Sequence, residues 1–316
     1  MKPSQPFPLL AAAAAAAATS AHAINILQSN DDGWAETNIR TLHATLTNQS
    51  HNVILSAPAD NKSGSSSLDS PPLPRLTPCQ FSSCPAPGPA VATDPENPRA
   101  QYVNSFPVTA LKAGINDLAP LFFGGGGGEG GQKVQLAVTG PNVGSNLDIQ
   151  VPFSGTVGAA VEAVKQGIPA LAFSGRSGEP TAFGEQTPLY ARLYADLAAE
   201  VVAAVTAAAP EGAFLPEGVW LNVNFPEVVE GEGERCTQAG EFRFVLSRIN
   251  PGILSGEDVE TCGNGGRLPT ERSVVDTEGG CFVSVSVGDA ADKTTADKEA
   301  QEAVLARLGG FLSCLP

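Results

Sequence analysis

The feature that most constrains this chain is a short apolar run that breaks on two adjacent acids. Ile24-Asn25-Ile26-Leu27-Gln28-Ser29 has the apolar and β-branched content of a strand, and Asn30-Asp31-Asp32-Gly33 stops it in a turn. Ile39, Leu42 and Leu46 then recur at helical spacing, and Val53-Ile54-Leu55 reads as a second strand closed by Pro58. Strand, helix and strand in that order form a βαβ unit, which requires parallel strands and a right-handed crossover. The expected class is therefore α/β.

The rest of the chain extends that pattern with interruptions. Residues 60–100 are rich in Ser, Pro and Gly, with nine prolines from Pro71 to Pro98, and read as a long loop with short extended pieces at most. A helix is expected over 108–118. The glycine tract at 124–131 reads as an exposed insertion. It lacks the Gly-Lys-Ser/Thr ending of a P-loop and the spacing of a dinucleotide fingerprint. A strand is expected over 136–139, followed by a polar turn at Gly140-Pro141-Asn142. Beyond it come a helix over 156–166, a strand over 170–173, a helix over 189–208 and a strand over 220–223. Residues 236–280 are glycine-rich and lose periodicity, so 227–316 is expected to be an irregular extension carrying a strand at 282–287 and a helix at 299–312.

Residues 1–23 read as a secretory signal peptide: Lys2, an apolar run to Ala18, and Ala21-His22-Ala23 as the cleavage signature. An alanine-rich helix of the mature protein is the alternative. The run is too short to span a bilayer, and no later stretch has about twenty consecutive apolar residues. The expected product is a secreted, extracellular protein, with one domain over 24–316 and no membrane partner. A formal net charge of -15 counts against nucleic-acid polymers as partners. It leaves room for a small phosphorylated substrate whose charge a cation neutralises. Six cysteines in an oxidising compartment point to disulfides. Cys79 and Cys84 are near enough to close a small ring; otherwise the pairing stays open. With no Cys-x-x-Cys pair, and only His43 and His51 in the mature chain, a zinc site is disfavoured. His43 is expected on a helix surface and His51 in a loop before a strand. Of the two glycosylation sequons, Asn48 is the expected acceptor, because a glycan on Asn61 would crowd Ser63.

Ligands of open α/β sheets bind at the carboxyl ends of the strands, where Asp31 and Asp32 fall. Two adjacent carboxylates repel unless a cation neutralises them or one takes up a proton. A helix cap would also explain an Asp there. Two further turns should open at the same edge, Asn61-Lys62-Ser63-Gly64 and Gly140-Pro141-Asn142. Carboxylate, hydroxyl and amide oxygens together select a hard divalent cation, Mg²⁺, Mn²⁺ or Ca²⁺. Singly, Ser63 and Asn142 are ordinary turn residues. Ser154-Gly155-Thr156, at a helix start, offers N–H groups and hydroxyls to phosphate oxygens, or is simply a Ser/Thr cap.

These residues carry a resemblance. The run Ile26 to Gly33 resembles the opening strand of the SurE (survival protein) phosphatases, and Asn61-Lys62-Ser63-Gly64 resembles their Asn-x-Ser-Gly turn. Gly140-Pro141-Asn142-x-Gly144-x-Asn146-Leu147 and Ser154-Gly155-Thr156-Val157-Gly158-Ala159-Ala160 follow in family order. So do Leu221-Asn222-Val223-Asn224-Phe225-Pro226 and Asp276. The resemblance implies a Rossmann-like three-layer α/β/α sandwich with a SurE-type C-terminal extension. It implies hydrolysis of phosphate monoesters, nucleoside monophosphates among them, by a nucleotidase or acid phosphatase with one divalent cation. The implied metal ligands are Asp31, Asp32, Ser63 and Asn142, with Asp31, Asp32 and Asn142 as the catalytic set. Asn30, Ser154, Gly155 and Thr156 are assigned to the substrate phosphate. A homodimer that exchanges C-terminal elements is implied as well. Pro141 departs from the family, where a β-branched residue is common. Metal-activated water is the expected nucleophile; Asp31 as an aspartyl-phosphate former is disfavoured because no Asp-x-Asp pattern is present. The competing reading is a secreted, non-catalytic cation or phosphate-ligand binding protein on the same shell.

Overall fold

The structure is a computed structural model that describes residues 23–124, 133–207, 209, 212–252 and 255–316. The signal segment, apart from Ala23, and all of the glycine tract but Gly124 lie outside the described residues.

The opening strand and helix form as the sequence spacing requires. β1 (Asn25–Ser29) is buried throughout and pairs in parallel with β2 (Asn52–Pro58), Ile26 opposite Val53. Between them runs α1 (Thr37–Asn48), started by Glu36, whose carboxylate accepts from the Asn38 N–H at 2.6 Å. Side chains alternate across β1, so Ile26 and Leu27 enter opposite cores. Ile26 packs with Leu42 and Leu46 of α1 and with α5 (Leu189–Ala207). Leu27 packs with Leu111 of α2 (Pro107–Ala113) and Val157 of α4 (Gly155–Lys165). Helices on both faces of one sheet make three layers.

The sheet has nine strands in the order β3-β4-β2-β1-β5-β6-β7-β9-β8. β5 (Leu136–Val143), β6 (Ala170–Gly175) and β7 (Val219–Phe225) continue the parallel run on the far side of β1. β2 and β4 (Ala100–Val103) lie on the near side, with β3 (Val91–Thr93) antiparallel at the edge. The chain thus leaves β1 in one direction and returns beside it in the other. The switch point falls between β1 and β5, where such folds open a crevice.

Four expectations are corrected. Gly140-Pro141-Asn142 is not a turn after a strand; β5 runs on through it to Val143, with an irregularity between Thr139 and Asn142. Asn142 pairs with Ser174 and Val143 with Gly175. A Cβ at Gly140 (φ +89) would sit 2.1 Å from the Phe173 carbonyl oxygen, so only glycine permits this approach. Second, residues 227–316 are not an irregular appendage. β8 (Phe242–Ser247) and β9 (Cys281–Asp289) complete the sheet, β9 antiparallel to β7 and parallel to β8, with α6 (Glu271–Val275) and α7 (Lys298–Leu308) beside them. Third, the helix expected to end at 118 passes through a π turn at Gly114–Leu118 into α3 (Ala119–Phe123). Disulfides join Cys79 to Cys84, Cys236 to Cys281 and Cys262 to Cys314.

The fourth concerns His43, which is buried rather than on the helix surface. Its Nδ1 meets Gln28 Oε1 at 2.9 Å and its Nε2 meets Asn97 Nδ2 at 3.3 Å, the pattern of one neutral tautomer. Burial, then the charges of Arg40 and Arg99, lower its pKa to about 4. The unfolded chain would bind that proton near pH 6.5, so this group's stabilisation is complete above that pH and is lost toward pH 4. Burial raises Glu36 to about 7, which acts with the opposite sign. The measure is therefore a difference between proteins. Relative to His43→Gln, wild type should lose about 2–3 kcal/mol more stability between about pH 7 and about pH 4.5 in urea melts. Equal losses would contradict the neutral buried imidazole.

Candidate active site

The loop after β1 delivers two carboxylates to the switch point. Asp31 and Asp32 are 2% and 1% exposed. Asp31 Oδ2 accepts from the Gly155 N–H at 3.0 Å, and Oδ1 accepts from the Thr156 hydroxyl at 2.7 Å. The carboxylate thus sits on the first turn of α4, where the helix dipole favours negative charge. Gly155 makes this approach possible: a Cβ there would lie 2.8 Å from Asp31 Cβ and 2.6 Å from Ser65 Oγ. Asp32 turns the other way, and its Oδ2 accepts from the Val143 N–H at 2.8 Å, at the end of β5. Among the described residues neither forms an ion pair.

Burial raises both carboxyl groups above the usual range, and hydrogen bonds oppose it at Asp31. At Asp32 the negative charges of Asp31 and Glu36 add to the burial. Two desolvated acids without a cationic partner are costly, and a bound cation would remove that cost. Asn142 supplies a third oxygen. Its Nδ2 donates to the Val143 and Gly144 carbonyls at 3.1 and 2.6 Å, which fixes the amide and leaves Oδ1 3.5 Å from Thr156 Oγ1. Ser63 is exposed and lines the same cleft as Asp31 and Asn142. Its turn is tied down by Lys62, whose N–H donates to the Asp31 carbonyl at 2.6 Å. Asn61 Oδ1 accepts from the Ser63 N–H at 2.8 Å, and the Asn61 N–H donates to Gln80 Oε1 at 2.7 Å, inside the Cys79–Cys84 ring. Among the described residues no three His, Cys, Asp or Glu side chains cluster as a metal site. The donor set here is two carboxylates with hydroxyl and amide oxygens, which fits a hard divalent cation.

The groups assigned to phosphate are placed differently. Asn30 is fully buried, and its amide is spent on Gly33, accepting from its N–H at 3.2 Å and donating to its carbonyl at 3.1 Å. Ser154 lines the cleft, but its hydroxyl caps α4 by accepting from the Val157 N–H at 3.1 Å. Gly155 and Thr156 address Asp31. Asn222 and Asn224 stand behind the site and donate to the Asn146 carbonyl at 3.0 and 3.1 Å, holding the cleft wall. The sequence reading missed Arg176, Ile149, Gln150 and Phe153 in the lining. Arg176 directly follows β6, so the strand-end rule that found Asp31 would have found it; it pairs with Asp276. No local signal marks Ile149 or Phe153.

A doubly wound α/β fold with an acidic oxygen-donor site at its switch point defines a class of small-ligand proteins that includes metal-assisted hydrolases. The family model for Survival protein SurE matches residues 26–262, and the chain belongs to that family. It is 30% identical over 324 residues to an acid phosphatase of Yarrowia lipolytica, covering 89% of this chain and 88% of that protein. It is 30% identical over 251 residues to the 5'-nucleotidase SurE of Gloeobacter violaceus, covering 75% and 81%. The SurE protein of Aquifex aeolicus superposes with a TM-score of 0.55 at 19% identity, over 89% of this chain and 98% of that one. That likeness carries the fold.

Proposed function

We propose that the chain hydrolyses phosphate monoesters, nucleoside monophosphates among them, with one divalent cation held by Asp31, Asp32, Ser63 and Asn142. The observation that carries this reading is the pair of buried carboxylates, without an ion-pair partner among the described residues, with Asp31 lining a cleft of about 580 Å³ beside Ser63 and Asn142 and Asp32 bonded next to it. The names of the relatives, acid phosphatase and 5'-nucleotidase, support it. Held by these residues, a hard divalent cation would supply positive charge to the phosphoryl group and Lewis acidity for activating the attacking water. The protein's own part is positioning. Thr156 and Gly155 orient Asp31, the Val143 N–H orients Asp32, and the Asn142 amide is fixed by its own loop. Gly155 and Thr156 act on substrate through Asp31, which revises their assignment to direct phosphate contact. The chain acts outside the cell after losing residues 1–23, as a homodimer.

The test uses protein recovered from the medium of cells expressing the full chain. Its N-terminal residue should be Ile24 and its mass by light scattering that of a dimer. Phosphate release from nucleoside monophosphates should appear with Mg²⁺, Mn²⁺ or Ca²⁺ and fall at least about a hundredfold with chelator. Metal-dependent ligand binding without turnover would favour the non-catalytic alternative.

A further inference from the structure

The cleft that holds Asp31 also holds two large apolar side chains, Ile149 and Phe153, which are 81% and 66% exposed. The other large apolar side chains exposed to this degree, such as Leu73 and Leu76, lie outside the cleft. Exposed apolar surface is ordinary when scattered, but it acquires meaning when it lines a polar ligand site.

The backbone beneath Phe153 is held from two directions. Its carbonyl accepts from the Ser66 N–H at 2.9 Å. The Pro152 carbonyl accepts from Ser66 Oγ at 2.5 Å and from Lys293 Nζ at 3.3 Å. The ring is exposed while its attachment is fixed, so only its own side-chain torsions are ordered when a ligand covers it. Phe153 is two residues before Gly155, whose N–H holds the Asp31 carboxylate at 3.0 Å. Two peptide units span at most about 7.6 Å, so the Phe153 Cα lies within that reach of the Gly155 Cα, on the same cleft lining as Asp31. The same cleft is lined by Arg176, a cationic side chain paired with Asp276.

We infer that Ile149 and Phe153 form the leaving-group subsite, an apolar shelf that selects phosphate monoesters carrying an aromatic ring face near the ester oxygen. The inference rests on the phosphatase reading of the same cleft. The shared chemistry is a flat π-surface, met in a nucleobase or in a phenol. Stacking of such a ring on one aromatic side chain is sufficient for about a tenfold preference. Arg176 serves substituents that accept hydrogen bonds, because its guanidinium donates in a fixed fork and is held by Asp276.

The experiment compares AMP, O-phosphotyrosine and glycerol 3-phosphate on wild type, Phe153→Ala, Phe153→Trp and Ile149→Ala. Phe153→Ala should lower kcat/KM for the ring substrates about tenfold, through KM rather than kcat. The loss for glycerol 3-phosphate should be at least about fivefold smaller, and Phe153→Trp should restore the preference. A loss confined to AMP or to phosphotyrosine supports the subsite and identifies its ring. Equal losses on all three esters, or none, overturn it. A change in light-scattering mass on Phe153→Ala also overturns it, because a second copy of the chain would then cover the shelf. If wild type releases phosphate from none of the three with metal present, the phosphatase reading fails separately. Calorimetric binding of adenosine and of tyrosinamide to metal-free protein then still decides the shelf: binding of either, lost in Phe153→Ala, sustains it, and no binding overturns it.

Discussion

Replacing Asp31 by Asn should lower phosphate release about a thousandfold or more while leaving the fold intact. Asn can keep its oxygen toward the Gly155 N–H and turn its amide toward Thr156, whose hydroxyl accepts as readily as it donates. What disappears is one of two negative charges in a site of buried oxygens. Charge stabilisation by a bound cation is worth several kcal/mol, so losing much of it costs orders of magnitude in turnover. Metal affinity should weaken in parallel. Stability of the metal-free protein should move the other way, because Asn removes a desolvated carboxylate that has no ion-pair partner among the described residues. Metal titrations of turnover, with thermal melts in chelator, check both signs. A folded Asn variant with near-normal turnover would sink the metal-site reading and leave Asp31 as a structural partner of α4.

Gly158→Ala should be nearly as damaging, although it adds one methyl to a helix. In an exposed helix interior, Gly→Ala stabilises by about 0.5–1 kcal/mol. Here the added Cβ would lie 1.9 Å from the Ser66 carbonyl oxygen and 2.7 Å from its carbon. The obstacle is backbone, and Ser66 is itself tied to Phe153 and Pro152. The loop from Ser63 to Ser66 must therefore shift from α4. Overpacking of this kind costs about 1–3 kcal/mol, which outweighs the gain in propensity. Ser63 moves with the loop, and displacement of about 1 Å at a catalytic group costs about a hundredfold in rate. A Gly158→Ala protein with unchanged melting temperature and turnover would show that the loop yields freely.

The parts legible in the sequence were those with a local periodic signature. β1, β2, β6 and β7 each centre on a short apolar run and are almost wholly buried because helices cover both faces, and α1 shows its buried stripe at Ile39, Leu42 and Leu46. β4 and β8 were missed because each is short and embedded in loop-like composition. Ala100-Gln101-Tyr102-Val103 follows nine prolines, and Phe242-Arg243-Phe244-Val245 interrupts a glycine-rich stretch. Their partners, β2 and β9, supply the order that their own residues do not announce. The site divided along the same line. Asp31, Asp32, Ser63 and Asn142 were named from strand-end chemistry and family pattern, and three of them line one cleft with Asp32 bonded beside it. That Gly155 and Thr156 serve a carboxylate from far earlier in the chain is a tertiary fact. A helix-start motif looks the same whether its N–H groups meet a ligand or a side chain.

The placement of β9 between β7 and β8 has a consequence for how the molecule comes into being. A chain emerging in sequence order completes β1, β5, β6 and β7, with every site residue in place, while one long edge of the sheet is still bare. The strand that covers β7 does not appear until residues 281–289, and β8, made earlier, must wait for that same strand before it has a neighbour. An unfinished chain therefore carries an open, apolar template for pairing with other chains. A messenger truncated near codon 280 would encode an intact site on an aggregating protein, and the last tenth of the sequence decides whether the rest stays in solution.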